Sequence, residues 1–447
     1  MTRHILGLCL VLLVSTAAVA CGGGADTPAF PTADASPGPV LQPLPLGTPG
    51  NHSPSHLAVP DETIQFERGV LSWSEPSASI EQPTTLAFGP DGRLYLGQLD
   101  GKIVALTLDG RSVVAAETVA VGELLGDVLG IAFNPADPVD PVTLYVSHTT
   151  LYSGDQGAPY AGKVSKLVGP GFEPVDIVTG LPVSADEHGT NGIAFDADGR
   201  LYIAQGGTTN AGIPSDRHSR PETPLSSAVL IADLTEPSFD GVITYEPPNE
   251  ASSEVAQIGG DVRVYAAGLR NAYDLVVHSN GWIYATDNGS NAADGKRSTG
   301  CGSDDAGPDG PDELNLVLEG RYYGHPNRNR GRADERQCFY RPSDDPAGPT
   351  TPPLATLGYF VSADGMAEYM ADAFDGRMRG DLVYVEWAQG HVWRVVLGDD
   401  GTNVVSISQL LPDPLDRPID VAVGPDGALY IAEMGTDSIV YFAPAGS

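Results

Sequence analysis

An all-β chain closed into a six-bladed β-propeller is the fold this sequence predicts, on three observations. A strand–turn–strand signal recurs six times, Gly (54) and Pro (38) are abundant, and no long stretch carries the 3.6-residue apolar period of a helix. On length alone the 447 residues would permit two or three domains, but one large β domain accommodates them equally well.

From the N-terminus, Met1-Thr2-Arg3-His4 is a short positive segment before an apolar run at 5–14, too short to span a bilayer comfortably. The run ends in Ala18-Val19-Ala20-Cys21-Gly22, which resembles the lipobox of bacterial lipoproteins, where the Cys becomes the lipidated first residue. Plain secretion is the alternative. Residues 1–20 thus read as a lipoprotein signal peptide and 21–60 as the lipidated Cys21 and a disordered Pro-rich tether. Residues 22–60 contain nine prolines and no Lys or Arg, and cannot bury enough apolar surface to fold. The propeller takes residues 61–447. The expected location is the bacterial cell envelope, periplasmic or at the cell surface, with membrane contact only through the lipid anchor.

The repeated signal appears as TLAFGPDGRLYLGQLDGKIVAL (85–106), GIAFNPADPVDPVTLYVSHT (130–149), GIAFDADGRLYIAQGG (192–207), LVVHSNGWIYATDNGS (275–290) and VAVGPDGALYIAEMGTDSIVYF (421–442). A looser copy is LVYVEWAQGHVWRVVL (382–397). Asp-Gly or Asn-Gly between alternating apolar runs marks a hairpin, because the Gly supplies the positive φ of the turn. Radial repetition of hairpins marks a propeller. About 64 residues per blade exceed the roughly 40–50 of compact repeats, so the gaps 208–274 and 291–381 must carry long loops. Residues 63–73 are placed to lend the last blade a strand and close the ring.

With 24 Lys and Arg against 58 acids, a formal net charge of −34, the chain has no basic stripe for nucleic acid. It is instead suited to hard cations such as Ca2+. Of four cysteines, Cys9 leaves with the signal peptide and Cys21 takes lipid. Cys301 and Cys338 remain as an even pair in an oxidising compartment, where a disulfide is the default.

Propeller ligands bind near the axis, at loops flanking the inner strands. Four places qualify. Asp186-Glu187-His188 precedes the third hairpin, where His188 is a general base with a carboxylate beside it, or a polar loop residue. Gly268-Leu269-Arg270-Asn271 offers a fork for a ligand carboxylate, or an ion pair with a nearby acid. The run 287–313 is rich in acids and Gly and suits calcium, without the spacing of an EF-hand. Tyr322-Tyr323-Gly324-His325-Pro326 offers aromatic walls and a second His, or rim packing.

Taken in order, these segments resemble the glucose/sorbosone dehydrogenase family, the six-bladed quinoproteins that include soluble PQQ-dependent glucose dehydrogenases and aldose sugar dehydrogenases. The likeness rests on Gly130-Ile131-Ala132-Phe133-Asn134-Pro135 with Leu144-Tyr145-Val146-Ser147, and on Pro174-Val175-Asp176 with Gly180-Leu181-Pro182. It continues through Gly268-Leu269-Arg270-Asn271, Asp312-Glu313-Leu314-Asn315-Leu316 and Tyr323-Gly324-His325-Pro326, and covers most of residues 75–442. The resemblance implies that His188 takes a sugar hydroxyl proton while hydride passes to PQQ, with Arg270 near the reacting carbonyl. It implies that Arg270 and Asn271 hold PQQ, and that Gly289, Ser290 and Asp312 surround a Ca2+ that polarises it. The implied partners are a small sugar or alcohol and an external electron acceptor.

The departures from the family matter too. Gly189-Thr190-Asn191-Gly192 replaces its Gly-Gly-Arg, Leu125 falls near a substrate-touching Gln, and Trp387-Ala388-Gln389-Gly390 replaces a basic turn. Arg217, Arg220, Lys296 and Arg417 are the candidate substitutes for the lost cations. Two readings follow: a PQQ-dependent sugar dehydrogenase, or a divergent, calcium-stabilised propeller that binds carbohydrate or protein.

Overall fold

The computed structural model describes residues 58–445 apart from 59, 62, 122–124, 151–157, 186, 248–253, 292–296, 301–302, 306–309, 332–333 and 341–349. The chain divides at residue 49, and the body described here belongs to the unit Gly50–Ser447. The signal peptide, Cys21 and nearly all of the tether expected at 1–60 lie outside the described residues, as does Cys301. Cys338 is described and buried.

Six four-stranded antiparallel sheets form the blades. The first strand, β1 (Phe66–Val70), belongs to the last blade. Blade 1 is β2 (Pro83–Phe88), β3 (Leu94–Gln98), β4 (Ile103–Asp109) and β5 (Ser112–Ala120). Blade 2 is β6 (Asp127–Ala132), β7 (Thr143–Thr149), β8 (Gly162–Val168) and β9 (Pro174–Leu181). Blade 3 is β10 (Thr190–Phe195), β11 (Leu201–Gln205), β12 (Ala228–Ala232) and, after the excursion β13 (Thr244–Glu246) and β14 (Ala256–Gly259), β15 (Arg263–Ala267). Blade 4 is β16 (Ala272–Val277), β17 (Ile283–Asp287), β20 (Asp312–Val317) and β21 (Ala355–Gly358). Its excursion is the pair β18 (Arg297–Gly300) and β19 (Ser303–Asp305). Blade 5 is β22 (Ala363–Tyr369), β23 (Asp381–Glu386), β24 (Val392–Leu397) and β25 (Val404–Gln409). Blade 6 is β26 (Pro418–Val423), β27 (Leu429–Glu433), β28 (Ser438–Pro444) and β1, which pairs with β28 from Phe66↔Pro444 to Val70↔Val440.

The inner strands β2, β6, β10, β16, β22 and β26 each contact the next and so ring the axis. Polar side chains tie neighbouring blades near that axis. Thr84 Oγ1 donates to the Val128 carbonyl (2.5 Å), Ser147 Oγ to Asn191 (2.5 Å), and Thr286 Oγ1 to Asp364 (2.7 Å). The Asp274 carboxylate accepts from Met366 N–H (2.9 Å) and that of Asp420 from Leu86 N–H (2.8 Å). Between blades, alternate strand residues interdigitate as apolar layers. Between blades 2 and 3 these include Val164, Val178, Ile193, Leu201, Ile203 and Leu230.

The turn reading holds where the signal was strong. Gly92 and Gly427 adopt the positive φ (80° and 77°) their Asp-Gly turns demand. The tyrosine that follows such a turn buries its ring and bonds back to it: Tyr95 OH donates to Asp91 (2.8 Å) and Tyr202 OH to Asp196 (3.3 Å). The looser copy at 382–397 is out of phase with the others. It forms the second and third strands of blade 5, and the inner strand is β22, upstream. A long connection with a 3-10 turn at Ala373–Gly376 joins β22 to β23, so no two-residue turn announced that hairpin.

Candidate active site

Two cavities lie at opposite ends of the axis. The larger, about 580 Å³, is lined by the distal halves of the inner strands, with Asp274, Glu368, Asp372 and Asp420 as its charged residues. It presents no imidazole and no cation. The other, about 330 Å³, is lined by residues at the entrances of the inner strands of all six blades, among them Thr84, Leu129, Asn191, Arg270, Asp364 and Ile419. It contains the chemistry.

His188 precedes β10 and is 3% exposed. Its backbone N–H is held by Ser184 Oγ (2.7 Å), and its Nδ1 lies 2.9 Å from the Gly207 carbonyl. A carbonyl only accepts, so Nδ1 carries the proton and the Nε2 lone pair is left for the cavity. Burial, reinforced by Arg270 and His218, holds the pKa of His188 well below the ordinary value. The ring is neutral at neutral pH. Its orienting partner is therefore a backbone carbonyl and not the adjacent carboxylate that the sequence suggested: Glu187 pairs with Arg217 and stands 3.7 Å from His218 Nε2.

Arg270 and Asn271 precede β16. The Asp287 carboxylate grips both backbone N–H groups, at 3.0 and 2.7 Å. The guanidinium donates Nε to the Asn210 carbonyl (3.0 Å), one terminal nitrogen to Asn210 Oδ1 (2.9 Å) and the other to the Asn288 carbonyl (3.2 Å). Asn191 Nδ2 donates to Asn271 Oδ1 (2.9 Å) and to the Ala272 carbonyl (2.8 Å), coupling blade 3 to blade 4 beside the base. Asn191 and Asn210 are site residues that spacing did not reveal. Asn191 lay in the segment marked as a departure, whereas nothing in the sequence flagged Asn210.

Gly289 and Asp312 line the same cavity, and Asp312 accepts from Gly289 N–H (2.8 Å) and Ala363 N–H (3.2 Å). Burial raises the Asp312 pKa, and raises Asp364 further. Ser290 turns elsewhere. Its hydroxyl meets Tyr340 OH (2.6 Å), its carbonyl accepts from Gly310 (2.8 Å), and it lines a small adjoining void of about 30 Å³ with Glu313, Tyr323 and His325. The Tyr322–His325 segment is buried scaffold. His325 Nε2 sits 2.9 Å from Glu222, which also accepts from Thr209 N–H (2.9 Å) and from the Thr209, Ser226 and Ser227 hydroxyls. Burial pushes the Glu222 carboxyl up, but His325 and these hydroxyls hold it ionised.

The remaining wall is apolar: Leu99, Leu129, Phe360, Trp387, Ala388, Ile419 and Met434. The expected substitute cations do not reach it. Arg217 binds Glu187, and Arg220 donates to the carbonyls of Val183 (2.9 Å) and Ser184 (3.1 Å). Arg417 lies 5.9 Å from the centre of the Trp387 ring beside Asp416 (3.4 Å) and does not line the cavity, and Lys296 is outside the described residues. Among the described lining residues, Arg270 is the one cation. The residues thus fit a flat, anionic quinone at its reacting end, where Arg270 and Asn271 line the cavity near His188 and Asn191 holds Asn271 in place. The opposite wall offers contact area without charge.

A six-bladed propeller with a neutral imidazole and a guanidinium facing one axial cavity defines a ligand-binding class with proton-transfer capacity. The family follows directly: residues 80–441 match Glucose / Sorbosone dehydrogenase, and the chain belongs to that family. It is 25% identical over 311 residues to quinoprotein glucose dehydrogenase B of Acinetobacter calcoaceticus, covering 64% of this chain and 58% of that protein. It is 23% identical over 362 residues to aldose sugar dehydrogenase YliI of Escherichia coli K12, covering 79% and 87%. The PQQ-bound aldose sugar dehydrogenase of Streptomyces coelicolor has the same fold, with TM-score 0.56 and 19% identity over 85% of this chain and 98% of that one.

Proposed function

We propose that this chain is a PQQ-dependent oxidoreductase that oxidises a sugar or related alcohol and passes the electrons to an external acceptor. The observation that carries this reading is the fixed tautomer of His188, whose basic Nε2 faces the cavity beside Arg270. PQQ, when bound, supplies the two-electron acceptor for the substrate's hydride. His188 takes the hydroxyl proton at Nε2. Arg270 holds positive charge where oxyanion character develops, and Asn271 and Asn191 fix the orientation. Asp312 and the Gly289 carbonyl would hold Ca2+. Export and anchoring through Cys21, and a Cys301–Cys338 disulfide, belong to the same proposal.

The apolar wall favours the second reading, a calcium-stabilised propeller that binds carbohydrate or protein. An anion with three carboxylates meets a single guanidinium here, and unpaired buried ions cost several kcal/mol each. Titrating the full chain with PQQ, with and without Ca2+, separates the two. The enzyme reading expects saturable, calcium-dependent binding at micromolar PQQ and dye reduction with some member of an aldose panel. Absence of saturable binding sinks it.

A further inference from the structure

The imidazole that serves as the base has two neighbours that sugar oxidation leaves without a role. Glu187, His188 and His218 each offer one ligand atom, and the three atoms lie within 4.8 Å of one another. His218 is fully buried, with its ring centroid 4.9 Å from that of His188. One Glu187 oxygen stands 3.7 Å from His218 Nε2, while the other is taken by Arg217. We propose that these three residues form a binding site for a divalent transition metal of the zinc class, and that the metal competes with the substrate's proton for the His188 lone pair.

The donor chemistry supports this. Two imidazoles and one carboxylate make a three-ligand set that leaves a fourth position open. Ligand atoms about 2.0–2.2 Å from a tetrahedral ion sit roughly 3.4 Å apart, so a pair at the 4.8 Å limit has to close by about 1.4 Å. Rotation of the Glu187 side chain, 28% accessible, together with small turns of the two imidazoles, whose ring centroids are 4.9 Å apart, would supply that movement. The supporting contacts are already made. The Gly207 carbonyl holds His188 Nδ1–H and leaves Nε2 as the ligand atom, and Arg217 orients the carboxylate from its outer side. Glu187 and His188 both line the axial cavity, which supplies the entry path and the open position.

Burial keeps His188 neutral, so no proton has to leave before the metal enters. Arg270 opposes the ion by repulsion, and the Glu187 carboxylate within the ligand set offsets part of that. Calcium prefers oxygen-only cages, so an imidazole pair selects against it. The softer metal therefore belongs on the histidine side of the cavity and calcium on the Asp312 side. A metal held on His188 Nε2 occupies the orbital that would receive the hydroxyl proton, and the metal-loaded chain has no base.

Binding of Co2+, a spectroscopic stand-in for Zn2+, tests the site directly. The full chain is stripped with chelator, kept in excess Ca2+ to fill oxygen-only sites, and titrated with Co2+. One equivalent is expected to raise the visible absorption of a four-coordinate nitrogen/oxygen site, and Zn2+ to bleach it. Glu187→Gln and His218→Ala should each weaken Co2+ binding at least about tenfold. His218→Gln, which keeps the buried volume, should do the same, while His391→Ala, remote from the cluster, should leave the titration unchanged. Absence of the band, or a band of undiminished affinity in all three cluster variants, overturns the proposal. The readout is independent of PQQ, so failure of the oxidoreductase reading leaves it standing or falling on its own.

Discussion

A single hydrogen bond, His188 Nδ1 to the Gly207 carbonyl, decides which nitrogen does chemistry. His188→Ala should abolish dye reduction, by at least about a hundredfold, while leaving PQQ affinity within a few-fold in a direct titration. Because burial lowers the His188 pKa, the base stays deprotonated well into mild acid. The acid limb of kcat/KM should therefore fall below the ordinary imidazole value near 6.5, and a limb at or above it would contradict the buried, neutral assignment. Arg270→Lys loses the two-pronged contact with Asn210, costing about 1–3 kcal/mol of binding, which PQQ titration would read. His188, Arg270 and Asn271 were legible from their places before hairpins and from motif likeness. Their partners were not: Gly207, Asn210 and Asp287 act through a backbone carbonyl, a loop amide and a strand-end carboxylate, which leave no spacing signal.

Among the elements, the Asp-Gly hairpins could be read from the sequence because two-residue turns impose a residue type. β22 escaped because its partner strand returns through a long connection with no such demand. The loop 206–227 escaped for the opposite reason: its order comes from one buried acid. Glu222 gathers His325, Thr209, Ser226 and Ser227, and so fixes the segment that presents Asn210 to Arg270. Glu222→Ala strands those partners and should destabilise the protein by about 3–5 kcal/mol, measurable by urea unfolding. Proteolysis within 208–226 should accelerate in that variant before the sheets are attacked. Cleavage that starts elsewhere would remove Glu222 as the organiser of the loop.

For the whole molecule, the buried acids set an unusual pH response. Burial raises Asp274 and Asp287 to about 7 and Asp381 to about 6, and also raises Asp312, Asp364, Asp420 and Glu386. Their folded forms keep protons that the unfolded chain releases above its ordinary carboxylate range. This contribution is whole below about pH 4 and is lost as pH rises toward 7. The buried His148, held near 4 by burial, and His188 and His325 act oppositely, losing stability as pH falls below about 6.5. The acids outnumber the histidines, and the net charge of −34 adds self-repulsion at alkaline pH. Thermal unfolding at low salt should give a higher Tm at pH 5.5 than at pH 8, and the reverse order would refute this balance.

The pairing of β1 with β28 joins residues from Phe66↔Pro444 to Val70↔Val440, nearly the full length of the body apart in sequence. A ribosome therefore releases five completed blades while the sixth still lacks the outer strand that was synthesised first. Until that strand docks, β28 presents an open hydrogen-bonding edge, the kind of surface that recruits foreign strands. From synthesis of Val70 until synthesis of Pro444, β1 waits without its partner strand, for a time set by translation.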